Sequence, residues 1–315
     1  MAVVTSLAFS YVMGRNDGAS LVAANVPNRL LGGFGSSLVL SFAVGLVPVV
    51  VGFGVAETIA FRLVGLGGSN GRAIAVAGVS VAIGVVLVMS RWGLPTSLTL
   101  ALVGAIVGAG IGGGLPVDWR PILGVVAIGV AAPVIAGVVA SAIRTLFGHA
   151  PLAPSRRSSR RLVHVASFLL QAIAYGANDG QKAFAVVLVV FGAHQQAHLD
   201  WWELLGVAGL FCVGSVAGRR SALRGLGSRL APERMHHSMV AQFASAASVG
   251  ASAMLGMPVS MTQACAAGLV GSTAIESSRR VRWEQAVRLV HAWLFTLPAS
   301  LVIGVIAGSA ISVLR

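Results

Sequence analysis

The sequence predicts an all-α polytopic membrane protein, with about ten transmembrane or re-entrant segments in two inverted five-segment repeats and broken helices at the site between them. Three observations carry this. Hydrophobic residues make up 56% of the 315 positions and charged residues only 10%, whereas a soluble domain carries about 25% charged residues to cover its surface. Mean hydropathy is +0.88. Landmarks also recur at a nearly constant offset: Asn178 follows Asn16 by 162 positions, Pro258 follows Pro95 by 163, Trp283 follows Trp119 by 164 and Pro298 follows Pro133 by 165. Four landmarks drifting by one residue each mark an internal duplication.

A span needs about 20 apolar residues. The first runs from 2 to 26 and holds Asn16-Asp17-Gly18 in its middle. Residues 1–13 are apolar with no basic stretch ahead of them, so they read as the start of a span and not as a cleaved signal. Residues 36–61, 73–89, 94–112 and 121–147 supply the next four segments. The second half follows with 162–193, 202–217, 237–255, 257–274 and 286–313. Between them, 148–161 carries Pro151, Pro154, Arg156, Arg157, Arg160 and Arg161. It reads as a basic cytoplasmic linker between a first membrane repeat, 1–147, and a second, 162–315, in one integral membrane domain.

Five spans per half is an odd number, so the second half enters the bilayer inverted. If every segment crosses once, sixteen arginines fall on one side and four, Arg62, Arg72, Arg120 and Arg315, on the other. The positive-inside rule then places the chain in the cell membrane with both termini outside. The net charge of +13 is topogenic on this reading. The arginines sit in short loops and form no basic domain, which excludes a nucleic-acid partner.

The most anomalous stretch is Tyr175 to Ala183, which sets an amide, a carboxylate and the chain's one lysine, Lys182, inside an apolar span. Charged groups at membrane depth are costly unless paired, and are usually functional. Asn16, Asp17, Asn178 and Asp179 are the candidate cation-binding residues. Gly18 and Gly180 are expected to break their helices and expose backbone groups to a cavity. Pro95 and Pro258 each open a segment with hydroxyls behind them, and the free N–H groups of a helix start suit an anion. Ser97, Thr99, Ser260 and Thr262 are therefore the candidate anion-binding residues. Arg15, Ser20, Thr96, Gln181, Lys182 and Gln263 form the surrounding ring. A cation-coupled anion symporter needs both kinds of site.

Other polar groups read more plainly. Glu57 is interfacial. His194 and His198 lack a catalytic Glu between them and belong to a solvated external loop. Met235-His236-His237 is a loop boundary. Trp201, Trp202, Trp283 and Trp293 are interface anchors. Cys212 and Cys265 lie in apolar segments as packing residues. No nucleotide loop or catalytic triad points to an enzyme.

These residues resemble a known family. Gly176-Ala177-Asn178-Asp179-Gly180-Gln181-Lys182-Ala183 is similar to the signature of the inorganic phosphate transporter family, and Asn16-Asp17-Gly18-Ala19 to its N-terminal copy. That family's Pro-x-Ser-Thr-Thr-His element is matched by Pro95-Thr96-Ser97-Leu98-Thr99-Leu100 and Pro258-Val259-Ser260-Met261-Thr262-Gln263. Val281-Arg282-Trp283 to Thr296-Leu297-Pro298-Ala299 resembles the family's C-terminal end. The resemblance implies a homodimeric phosphate permease driven by H+ or Na+, with no cofactor beyond that ion and any Na+ held at the cation site. Departures are Leu98, Leu100, Met261 and Gln263 in place of Thr and His, Ser20 in place of Asn, and Arg15 in place of a small residue. They leave open the coupling ion and the cargo: phosphate, sulfate or a metal–phosphate complex. A passive anion channel is the alternative in kind.

Overall fold

The computed structural model describes residues 1–25, 31–92, 96–147, 157–191, 201–223, 230 and 235–314. Pro95, His194, His198, Asp200 and most of the 148–161 linker lie outside them. The described chain is helical throughout, with one isolated antiparallel bridge, Val64 to Val117. Helix α1 spans 2–25 and α7 spans 157–191. Each carries a π-helical turn in its middle, Gly14–Gly18 in α1 and Gly176–Gly180 in α7. The others are α2 (Gly32–Val51), α3 (54–62), α4 (Gly68–Arg91), α5 (Leu98–Gly112), α6 (Trp119–Phe147), α8 (Trp201–Leu223), α9 (Met235–Met254), α10 (Met261–Glu276) and α11 (Trp283–Val313).

Two expectations are corrected here. The helices do not break at Gly18 and Gly180. They run on through a wider turn with i→i+5 bonding, a form that recurs at functional sites. The expected second span, 36–61, is instead divided at Gly52, whose φ of 91° is open to glycine and ends α2. The short α3 follows.

Among the described residues, five helices are long and apolar enough to cross a bilayer: Gly32–Val51, Asn70–Arg91, Trp119–Phe147, Trp201–Ala222 and Trp283–Val313. Their outer faces expose Val130, Val134, Val138, Ile303 and Ile306, an apolar band of the kind that lipid covers. Helix α5, by contrast, is buried on every side from Leu98 to Gly110 apart from Leu100, as a uniformly apolar helix should be.

Packing crosses between the two halves. Helix α1 lies on α8 and α7 on α2, while α5 lies on α11 and α10 on α6. Small residues make these contacts possible. A Cβ on Gly14 would overlap the Phe211 backbone of α8, and one on Gly176 the Ala43 backbone of α2. Gly104, Gly108 and Gly112 form a small-residue stripe on α5 that takes the backbone of α11.

Polar pairs add glue between helices. Ser167 donates to Gln242 Oε1 at 2.6 Å and Gln171 Nε2 to Ser245 Oγ at 2.9 Å, joining α7 to α9. Helices α4 and α5 form one hairpin, its open end closed by the Val64–Val117 bridge and by Ile74 packed on Gly113. Helices α9 and α10 form a second.

The open end of the second hairpin is tied by Glu276. His237 Nε2 lies 2.9 Å and His236 Nε2 3.2 Å from Glu276 Oε2, Arg280 pairs with Oε1, and Arg144 of α6 approaches to 3.8 Å. Met235-His236-His237 stands at a helix boundary, as the sequence suggests, forming the first turn of α9 with the His237 side chain buried.

Candidate substrate site

The tips of the two hairpins meet at the π turns of α1 and α7. Ser97 and Ser260 precede α5 and α10 in extended backbone, with φ of −95° and −106°. The asparagines fasten these tips. Asn16 Nδ2 donates to the Thr96 carbonyl at 3.2 Å. Asn178 does the same in the second half, with Nδ2 donating to the Met257 carbonyl at 2.9 Å and Oδ1 accepting from Val259 N at 3.1 Å. Each amide therefore reaches a backbone about 80 residues downstream. The tips also touch each other, Thr99 Oγ1 donating to the Val259 carbonyl at 3.2 Å.

Both carboxylates are buried beside this junction, Asp17 at 3% exposure and Asp179 at 2%. Their partners differ. Asp17 Oδ1 accepts from Asn16 Nδ2 at 2.7 Å and has no basic partner in ion-pair contact among the described residues. Asp179 Oδ1 accepts from Lys182 Nζ at 2.6 Å. Lys182 also donates to Thr99 Oγ1 at 2.5 Å and to the Val259 carbonyl. Buried charge is tolerated here because it is paired and hydrogen-bonded. Three polar atoms at or beside the centre are buried without a partner among the described residues: Asp179 Oδ2, Tyr175 Oη and Thr96 Oγ1. Polar groups so placed are costly unless a ligand or water meets them.

The remaining candidates are distributed unevenly. Ser97 Oγ accepts from Leu100 N at 3.3 Å and so caps α5. Ser260 does not cap α10; its hydroxyl lies 3.0 Å from Thr262 Oγ1. Gln263, Ser260 and Thr99 line a small pocket closed by Pro258 and Leu297. Ser20 donates to the Asn16 carbonyl within its own helix at 2.7 Å. Arg15 is exposed and forms no ion pair with Asp17. Gln181 serves packing: Oε1 accepts from Val55 N at 2.8 Å and Ala56 N at 3.1 Å, capping the start of α3. Glu57 is exposed and 3.9 Å from Arg62.

Sequence reasoning missed Tyr175 and the carbonyls of Met257 and Val259. Tyr175 adjoins the motif and is wholly buried, its ring 5.7 Å from Phe211; its place four residues before Asp179 in an apolar stretch was the available signal. The carbonyls leave none, since every residue has one.

Known proteins resemble this chain in sequence and in fold. The model of the phosphate transporter family matches the chain twice, over residues 13–163 and 151–304. A probable low-affinity inorganic phosphate transporter of Bacillus subtilis (strain 168) is 26% identical over 98% of this chain and 95% of its own. One of Mycobacterium tuberculosis (strain ATCC 25618 / H37Rv) is 30% identical over 96% of this chain and 75% of its own. A solved structure titled "The sodium-dependent phosphate transporter" superposes with a TM-score of 0.85 over all of this chain and 98% of its own, at 16% identity, which shows a shared fold. Sulfate finds no support among these relatives. With the family model covering nearly the whole length and meeting each half separately, this chain belongs to the phosphate transporter family.

Proposed function

We propose that the protein is a secondary active transporter that carries inorganic phosphate across the cell membrane in symport with H+ or Na+. The observation that carries this is the double fastening of the hairpin tips by Asn16 and Asn178, which sets two buried carboxylates beside two helix starts. Asp17 and Asp179, with Asn16 and Asn178, form the cation-binding side. Thr99, Ser260 and Thr262, with the free N–H groups of α5 and α10, form the phosphate-binding side, and Ser97 joins them by exchanging its cap for the anion.

The halves 1–147 and 162–315 are inverted repeats joined by a cytoplasmic linker. With single crossings throughout, the tips at 92–97 and 255–260 would lie on opposite surfaces, roughly 30 Å apart. Contact between Thr99 and Val259 supports re-entry instead: α4–α5 dips in from outside and α9–α10 from the cytoplasm. Each half then crosses three times, through α1, α2 and α6 or through α7, α8 and α11. Three is odd, so the inversion and the external termini stand. Alternating access follows from rocking one set of elements against the other about the tips.

Labelled phosphate uptake into proteoliposomes tests this. Uptake driven by an imposed proton or sodium gradient, unaffected by excess sulfate and reduced to background by Asp179→Asn, is the expected result. Folded protein that takes up no phosphate under either gradient would refute the proposal.

A further inference from the structure

The two cation-binding carboxylates are not in the same state. We infer that the Lys182 ammonium is a tethered cation filling a cation site beside Asp179, so that one exchangeable cation, taken at Asp17, couples transport. The inference rests on the proposed symport and goes further, to the number of coupling ions and the residue that sets it.

The argument begins with the ligands. Lys182 Nζ is held by a carboxylate oxygen (Asp179 Oδ1), a hydroxyl (Thr99 Oγ1) and a backbone carbonyl (Val259 O). These are the hard oxygen donors that small monovalent or divalent cations select. They come from three separate elements: α7, the start of α5 and the tip before α10. The Val259 carbonyl lies outside any helix, so it has no helical partner to leave. A lysine serving only to neutralise Asp179 would not need to reach the far hairpin and bond both tips. With the ammonium in place, those ligands are drawn together as a bound ion would draw them.

The first half carries the corresponding carboxylate without a tethered ammonium. Asp17 corresponds to Asp179, and the position of Lys182 falls on Ser20. The Ser20 hydroxyl turns back onto the Asn16 carbonyl, so no side chain from that position reaches Asp17. Arg15 points away, exposed. Before phosphate binds, two ionised carboxylates and one ammonium leave a single uncompensated negative charge in the buried centre, and one monovalent cation cancels it. Had both positions carried uncharged residues, two would be required.

Phosphate exchange separates this from alternatives because it needs no net driving force. Wild type and Lys182→Ala are reconstituted, and labelled phosphate is exchanged against unlabelled phosphate with sodium, methylammonium or the bulky N-methylglucamine as the only monovalent cation. The expected result is that Lys182→Ala falls by about tenfold or more in N-methylglucamine, and that sodium or methylammonium restores it. The ratio of rates with and without the small cation should exceed that of wild type by about tenfold. Adding Asp179→Asn should abolish the rescue, since the carboxylate ligand is gone. A monodisperse Lys182→Ala protein whose cation response equals that of wild type overturns the inference. Lys182→Met keeps the stem's volume and replaces the alanine variant if that one does not survive purification. Failure of both in sodium-containing buffer also overturns it, because a filled site would have held them together. Absence of exchange by wild type under every cation counts against phosphate transport itself, whereas wild-type exchange with an unrescued variant counts against the tethered cation alone.

Discussion

Asn178 shows how much one side chain does at this site. Its amide uses both ends, donating to Met257 O and accepting from Val259 N, so the tip before α10 is held at two points. Replacing it with Ala strands a buried carbonyl and a buried N–H, at about 2–4 kcal/mol for the pair. Asn178→Ala should therefore lower the thermal midpoint and cut phosphate uptake at least tenfold, as about 1.4 kcal/mol per decade implies. Asn16→Ala removes one tip bond and one bond to Asp17. Its effect on stability should be smaller, because Asn16 is only partly buried. Unfolding followed by tryptophan fluorescence, with uptake measured on the same preparation, checks both. Equal and negligible effects would show that the tips are held by something else.

Among elements, the helices that carry the site are placed by glycine. A Cβ at Gly108 would overlap the Leu301 carbonyl of α11, and close backbone approach is what holds helices together where lipid supplies no hydrophobic drive. Gly108→Leu should push α5 off α11, cost about 1–3 kcal/mol from overpacking or more, and reduce the yield of monodisperse protein. Gly209→Leu on α8 meets open space and should behave as wild type; size-exclusion profiles of the two variants make the comparison.

Much of this level was legible in the sequence. Apolar length located nearly every helix, because lipid enforces it, and the offset from Asn16 to Asn178 paired the halves. The rest was not, for physical reasons. A glycine pair marks a helix break and a π turn equally well, so Gly14–Gly18 and Gly176–Gly180 read as breaks. An apolar run does not say whether it crosses or turns back. The roles of Gln181 at the start of α3 and of Glu276 among two histidines and two arginines depend on elements far apart in the chain.

For the molecule as a whole, the proposed inverted pair of halves meets at a centre that holds both tips, both asparagines and both carboxylates. On the proposed orientation, which follows the positive-inside rule, epitope tags at the two termini should be reached by antibody on intact spheroplasts, while one inserted at 148–161 should be reached only after permeabilisation. A terminus and the linker exposed on the same side would break the inverted plan. The central claim is coupling, and it separates a symporter from a channel of the same shape. The measurement that tests it most directly is the internal-to-external ratio of labelled phosphate in proteoliposomes under an imposed inward proton or sodium gradient, with equal phosphate on both sides at the start. A symporter predicts phosphate accumulating inside above the external concentration and draining back when the gradient is collapsed by an ionophore. A ratio that stays at unity under both gradients, while label still equilibrates, would contradict it.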